Sequence, residues 1–158
     1  MLSVKQHLWF EKDMEAALTL YTSLVPGSSI DWISAVPADN PSGPAGSVRT
    51  AGFTLGGQAY MAIQAGKHDD FNDAFSIVVI CDTQEEIDRL WQALTANGGK
   101  PVQCGWLKDP WGLSWQITPK RLGDLMNGSD PAKAKRVTEA MLKMVKFDIA
   151  ALEAAAEG

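Results

Sequence analysis

The sequence predicts an α+β fold in which one βαβββ module occurs twice and helices follow the second copy. The second strands of two predicted hairpins, Gly57–Ile63 and Gly112–Thr118, can be aligned with each other. Each lies at the end of a segment that begins with a strand pattern followed by a helix pattern. The remaining third has the three-to-four-residue apolar spacing of helices. We therefore expect a single domain, with module one at about residues 2–66, module two at about 74–119 and C-terminal helices at about 120–157.

In module one, a strand is predicted from about Val4 to Phe10 and a helix from about Asp13 to Leu24. After an irregular stretch, a hairpin follows over Val48–Gln64, with Gly56-Gly57 as its turn. Residues 35–47 are rich in Pro, Gly and Ser, which is the composition of a mobile lid or of a solvated connector. The sequence does not choose between these two roles.

Module two opens with a strand predicted at Phe75–Cys81. Thr83 and Glu86 have the spacing of a capping box, which indicates a helix that runs to about Ala96. The run Asn97-Gly98-Gly99 then ends the helix, because these residues accept the left-handed backbone of a helix terminus.

A tight hairpin is predicted over residues 104–119. Residues 109–112 place Asp, Pro and Gly at the first, second and fourth positions of a type I turn. The strand after the turn alternates at period two and puts Trp115 and Ile117 on one face. With three tryptophans, this hairpin has more aromatic surface than a short hairpin needs.

In the C-terminal third, Asp130 and Pro131 are typical of the first residues of a helix, and Asp148 suits the cap of a short last helix at about 149–156. An apolar face follows the first of these helices. We interpret that face as core packing, with a cofactor-binding face as the alternative. It consists of Ala134, Val137, Met141 and Met144.

The residues CGWLKDPWGLSWQITP at 104–119 resemble the signature of one branch of the vicinal oxygen chelate superfamily, which has the glyoxalase/bleomycin-resistance/dioxygenase fold. That branch contains the PhnB-like proteins and carries the label demethylubiquinone methyltransferase. Further segments agree in order, so that the resemblance covers nearly the whole chain. They are LWF at 8–10, EAALTLY at 15–21, YMAI at 60–63 and TQEEIDRLW at 83–91.

Composition excludes several partners. The net charge is −5 and the pI is near 4.9, without a run of Lys or Arg, which argues against binding to nucleic acid or to an anionic membrane. No apolar stretch has transmembrane length, and the first residues lack the pattern of a signal peptide, so we expect a cytoplasmic protein. Cys81 and Cys104 have no metal-site or redox spacing and are expected to be free thiols.

The resemblance implies four positions that hold a metal in metal-dependent relatives. It assigns them to Gln6 or His7, to Met61, to Phe75 or Ser76, and to Gln116. This set has no carboxylate and at most one imidazole, whereas a divalent cation prefers charged or imidazole ligands. We therefore predict neither a tightly bound metal nor a cofactor. No nucleotide-binding glycine motif and no element suited to S-adenosylmethionine is found.

A ligand pocket is the remaining prediction. Because neighbours in a strand face opposite ways, we choose Met61 over Tyr60 and Gln116 over Trp115 for its wall. Aromatic, thioether and amide groups suit a small apolar or planar organic molecule. The predicted wall consists of Gln6, His7, Met61, Ser76, Trp106 and Gln116.

By resemblance, and because each small sheet gains stability by pairing with another, we expect a homodimer with two-fold symmetry. The leading hypothesis is thus a metal-free homodimer that binds a small molecule. One alternative is a lyase, isomerase or dioxygenase whose metal is held by His7 and Gln116, and the other is a protein-interaction module.

Overall fold

The computed structural model describes all 158 residues, which divide into two compact units, Met1–Asp70 and Phe71–Gly158. The first unit is one four-stranded sheet with one helix. In chain order, its elements are β1 Gln6–Phe10, α1 Met14–Leu24, β2 Ser29–Ala35, β3 Arg49–Leu55 and β4 Gln58–Gln64. The strand order is β1-β4-β3-β2, with β1 parallel to β4 and the other pairs antiparallel.

Strand alternation gives the first sheet one buried face. Leu8 and Phe10 of β1 are buried, as are Phe53 and Tyr60, whose rings stack with centroids 5.0 Å apart. Helix α1 supplies the other half of this core, and its first backbone N–H, at Met14, donates to the Gln64 side chain at 3.0 Å. Burial raises the pKa of the Tyr60 phenol, as expected for a group on the core side of the sheet.

The second unit repeats this arrangement and adds three helices. Its elements are β5 Ser76–Cys81, α2 Gln84–Thr95, β6 Lys100–Pro101, β7 Trp106–Lys108, β8 Ser114–Pro119, α3 Lys120–Met126, α4 Pro131–Met141 and α5 Ile149–Glu157. The strand order is β5-β8-β7-β6, and β5 is parallel to β8 as β1 is to β4. The prediction of an α+β fold with a duplicated βαβββ module is confirmed.

The local signals of module two form as predicted. The Thr83 hydroxyl accepts from the Glu86 N–H at 3.2 Å, and the Glu86 carboxylate accepts from the Thr83 N–H at 3.2 Å, which is a complete capping box. In the turn, the Gly112 N–H donates to the Asp109 carbonyl at 3.0 Å. Gly112 has φ +88°, a backbone conformation that glycine adopts without strain.

The irregular stretch of module one contains a strand that the sequence did not reveal, namely β2. Its pairing with β3 shifts register between Ile30 and Trp32, which places a bulge at Asp31. A bulge interrupts the strict alternation of faces, so the period-two pattern that identifies a strand is lost. Residues 36–47 close on themselves, since the Asp39 side chain accepts from the Ala45 N–H at 2.8 Å and Val36 pairs with Val48.

The C-terminal helices pack around their own apolar cluster. Asp130 caps α4 by accepting from the Ala132 and Lys133 N–H groups, and Asp148 caps α5 by accepting from the Ala151 N–H. The predicted methionine face packs against this cluster, which confirms its structural role. The cluster comprises Leu122, Leu125, Val137, Phe147, Leu152 and Ala156, with Cys104, Met126, Met141 and Met144 against it.

The segment between α4 and α5 fastens these helices to the second sheet. The backbone N–H groups of Cys104 and Gly105 donate to the carbonyls of Met144 and Val145, both at 2.8 Å. Gly105, with φ +78°, lies so close to Phe147 that a Cβ atom there would be 2.3 Å from the ring. The hairpin and the C-terminal helices therefore share one packed structure. No helix of the chain has the length and apolarity that a membrane crossing requires.

Candidate functional site

The first sheet has one face against α1 and one open face. A row of four residues crosses this open face from edge to edge, because His7 pairs with Met61, Met61 with Gly52, and Gly52 with Trp32. Paired residues on neighbouring strands point to the same side of a sheet. We call His7, Met61, Gly52 and Trp32 the first row.

Gly52 provides the space in which the Trp32 indole lies. A Cβ atom at Gly52 would be 2.3 Å from Trp32 Nε1 and 2.6 Å from Trp32 Cε2, so the ring rests directly on the backbone of β3. Trp32 lies on the edge strand β2 and stays 43% exposed, which leaves a large aromatic area open to solvent.

The second sheet carries a corresponding row on its open face. Val78 pairs with Gln116, and Gln116 pairs with Trp106. We call Val78, Gln116 and Trp106 the second row. The Gln116 side-chain N–H donates to the Ser76 hydroxyl at 3.0 Å, which fixes the amide and leaves its oxygen available as an acceptor.

A polar group supports one end of the second sheet. The buried Ser114 hydroxyl donates to Asp73 at 2.7 Å, and the Lys108 ammonium lies 3.3 Å from the same Asp73 oxygen. The hydrogen bond from Ser114 and then that from Lys108 lower the pKa of Asp73, so its carboxylate is ionised at neutral pH. The Lys108 charge is thereby balanced locally, and the second row itself contains no charged side chain.

The structure places the six predicted wall residues in different ways. His7 and Met61 lie together in the first row, while Ser76, Trp106 and Gln116 lie together around the second row. Gln6 pairs with Tyr60 and shares the face of Leu8 and Phe10, so alternation separates it from His7.

Sequence reasoning missed Trp32 because β2 was not recognised as a strand. A signal was present in Gly52, since a glycine inside a strand often marks the close approach of another group.

The donor groups of the two rows do not fit a divalent metal. Near the positions that the superfamily resemblance suggests, the first row offers the His7 imidazole and the Met61 thioether, and the second offers the Gln116 amide with the Ser76 hydroxyl. No carboxylate is among them, and no group of three or more His, Cys, Asp and Glu side chains able to hold a metal occurs in the structure.

The other histidine lies beside Trp9, which is two residues from His7 on β1 and shares its face of the first sheet, and one cavity lies among the C-terminal helices. His68 is exposed and touches the Trp9 ring edge-on, with centroids 4.8 Å apart. A cavity of about 210 Å³ lies among the C-terminal helices and contains the ion pair of Arg121 and Glu153, at 2.7 Å. Both ion-pair side chains are almost half exposed, which is typical of a surface depression between packed helices.

Comparison with known proteins identifies the family. The family model described as 3-demethylubiquinone-9 3-methyltransferase matches residues 3–118. The chain belongs to this family. The predicted membership of the PhnB-like branch of the vicinal oxygen chelate superfamily is thus confirmed. The family match ends within one residue of β8, so that α3, α4 and α5 lie outside it. Among curated proteins, no match was found.

Solved structures support the same assignment. The PhnB protein of Bacillus cereus, which bears the 3-demethylubiquinone-9 3-methyltransferase name, is 36% identical over 75% of this chain and 99% of its own, with a TM-score of 0.65. Protein PA1353 of Pseudomonas aeruginosa is 23% identical over 75% of this chain and 98% of its own length, with a TM-score of 0.56. The fosfomycin resistance protein FosX of Mesorhizobium loti is 14% identical over 72% of this chain and 86% of its own length, with a TM-score of 0.50. The last two show a similar fold only.

Proposed function

We propose that this protein binds a small organic molecule on the open faces of its sheets without a tightly bound metal. The observation that carries the proposal is the correspondence of the two rows. In each sheet, an indole lies beside an uncharged side chain, Met61 in the first row and Gln116 in the second. Such a combination of apolar surface with few hydrogen-bonding groups is typical of small-molecule sites.

The family name refers to a methyltransferase, and we propose a different role for this chain. Methyl transfer from S-adenosylmethionine requires a site for that cofactor, and adenosine-containing cofactors are often held by a glycine-rich turn between a strand and a helix. The strand-to-helix connections in this chain are Glu11–Asp13, Asp82–Thr83 and the direct junction of β8 with α3 at Pro119 and Lys120, and none of them contains glycine. The chemistry of these turns therefore supports binding of a different ligand.

We also propose that the binding form is a homodimer. Val78 and Ile80 of β5 project from the open face of the second sheet and are 50% and 58% exposed. Exposed aliphatic residues on neighbouring positions of one face are costly in water and are suited to an interface. A second copy of the chain would cover this surface, and the second row, which includes Val78, would then border the interface.

Native mass spectrometry of freshly purified protein, combined with elemental analysis, tests the proposal. We expect an organic molecule to be retained by the folded protein, to be released on denaturation, and to be accompanied by substoichiometric metal only. Gln116→Ala should reduce retention, and Gln92→Ala, on the exposed side of α2, is the matched control. One divalent metal per chain, with an activity that chelation abolishes, would instead support the metal-dependent enzyme.

A further inference from the structure

From the geometry of the first row, we infer the class of molecule that it takes. We propose that Trp32 is a stacking platform and that the ligand is an uncharged, planar, fused-ring compound with a polar atom at one end. This inference rests on the function proposed above and makes it more specific.

The position of the indole depends on a missing side chain. Since the Trp32 ring occupies the space where a Cβ of Gly52 would be, its pyrrole half is held against β3. An aromatic ring that covers a glycine also stabilises a sheet, and this accounts for the contact itself. It does not account for the 43% of the side chain that stays open to solvent beside Met61.

The second row reaches a similar arrangement by a different route. Gly52 of β3 pairs with Met61 of β4, and Trp106 of β7 pairs with Gln116 of β8. Because β4 and β8 are the strands that pair in parallel with β1 and β5, Gly52 and Trp106 occupy corresponding positions in the two sheets. In the first unit this position is Gly52, and the indole that covers it belongs to Trp32 of the neighbouring strand β2. In the second unit the indole belongs to Trp106, the residue at the position itself. Both sheets thus have an indole at the corresponding position, although it comes from different strands. We take this correspondence as support for a binding role of the ring in addition to packing.

The remaining residues of the first row define the rest of the ligand. Met61 lies between the indole and His7, and a thioether makes favourable contacts with aromatic rings. His7 can donate or accept a hydrogen bond. Gly52 and His7 are two strand spacings apart, about 10 Å, which a fused two-ring compound with a hydroxyl or carbonyl group spans.

Charge further restricts the class. The first row contains no Lys or Arg, and the carboxylate beside it, Asp31, accepts from the Ser29 and Thr54 hydroxyls, so an anionic ligand would lose its hydration without a partner. A neutral ring loses little hydration and gains stacking on the indole. We therefore assign the row to neutral, conjugated bicyclic compounds in preference to saturated, phosphorylated or carboxylated ones.

A matched pair of probes separates aromatic stacking from general apolar binding. 2-Naphthol and decahydro-2-naphthol have the same carbon skeleton and hydroxyl group, but only the first is planar and aromatic. With ¹⁵N-labelled protein, 2-naphthol should shift the Trp32 indole N–H resonance, assigned as the signal missing in Trp32→Phe. It should also bind about tenfold more tightly than the saturated compound.

Two substitutions test the platform without removing the sheet. Trp32→Leu keeps an apolar side chain and should weaken 2-naphthol binding about tenfold while affecting decahydro-2-naphthol little. Gly52→Ala displaces the indole, and should weaken 2-naphthol binding similarly. In the double variant the two losses should not add, because both remove the same platform. Trp91→Phe, on α2, is the control, and circular dichroism verifies that each variant is folded.

Each contrary result has a defined meaning. Equal affinity for both probes, failure of 2-naphthol to bind, or unchanged 2-naphthol affinity in folded Trp32→Leu overturns the aromatic class. If native mass spectrometry then still finds a retained non-aromatic molecule, the proposed function stands and only the ligand class is wrong. If neither experiment detects any small molecule on the folded protein, both proposals are wrong.

Discussion

The indole N–H of Trp115 donates to the Asp109 carboxylate at 3.0 Å, and both side chains are almost completely buried. The other carboxylate oxygen accepts from the backbone N–H groups of Trp111 and Leu113 at 2.9 and 3.1 Å. One aspartate thus joins the turn to the strand that follows it. In this chain, Asp109 and Trp115 therefore stabilise the hairpin together.

Trp115→Ala should destabilise the fold by about 3 kcal/mol or more, since it removes a fully buried aromatic side chain and leaves a cavity. Urea denaturation measures the change. Trp111→Ala, in the same hairpin but only partly buried, should cost clearly less. A denaturation midpoint for Trp115→Ala equal to that of the unaltered protein would contradict the buried position.

Asp109→Ala should cost about 2–4 kcal/mol, because it leaves several buried or partly buried N–H donors without their acceptor. Asp109→Asn keeps one carbonyl oxygen and nearly the same volume, so its loss should be smaller. The same denaturation experiment compares the two variants. Equal stability of the alanine variant and the unaltered protein would mean that these hydrogen bonds contribute nothing.

Gly105→Ala should destabilise the second unit by about 2–4 kcal/mol. The new methyl group would meet the Phe147 ring at 2.3 Å and the Ile117 carbonyl oxygen at 2.9 Å, at a backbone φ of +78°. In a Phe147→Ala background the ring contact is gone, so the added cost should fall, leaving the backbone strain of about 1–2 kcal/mol and the close contact with the Ile117 carbonyl oxygen. A double-mutant cycle measures this difference, and fully additive losses would argue against the contact.

Cys81 should make stability fall in alkaline solution. Burial, and then the charge of Glu86, raise the pKa of the Cys81 thiol from 9.0 to about 11. Below pH 9 the thiol is protonated in both states and has no effect. Between pH 9 and about 11 it ionises only in the unfolded chain, so stability falls as the pH rises, by up to about 1.4 kcal/mol per pH unit. Denaturation curves of Cys81→Ala over this range should lack that component of the decline.

Ile80→Glu should convert the proposed dimer into a monomer of 17.1 kDa, because it places a charge on an exposed aliphatic position of β5. Sedimentation equilibrium at micromolar concentration determines the mass. Gln92→Glu adds the same charge to an exposed position of α2 and should leave the dimer intact. If the unaltered protein sediments as a monomer at every concentration, the homodimer proposal is wrong.

Much of the fold could be predicted because its signals are local. The turn at 109–112, the capping box of Thr83 and Glu86, and the caps at Asp130 and Asp148 each depend on residues a few positions apart. The missed strand β2 had no such signal, since the bulge at Asp31 disturbs its alternation. The single-domain organisation stays a prediction, which one cooperative unfolding transition would support.

The candidate site was less predictable than the fold. Pairing across strands decides which residues share a row, and the contact of Trp32 with Gly52 joins residues whose register could not be assigned without β2. Met61, by contrast, was chosen over Tyr60 by the alternation of faces in its strand, while Gln6 and His7 were both included because the resemblance left the choice between them open. The predicted wall residues all lie in regular strands, whereas Trp32 follows the bulge at Asp31.

The hydrogen bonds between the second unit's hairpin and the segment that joins α4 to α5 affect how the chain can fold during synthesis. The Cys104 thiol donates to the Met141 carbonyl over a sequence separation of 37 residues, and the Gln84 amide donates to the Phe147 carbonyl over 63. A ribosome delivers the chain from its N-terminus, so the first unit can form while the second still lacks its last partners. The signature hairpin gains these contacts only after Met141, Met144 and Val145 have been synthesised. Translation products that end before Met141 would therefore expose a hairpin without these hydrogen bonds. We expect such products to depend most on chaperones.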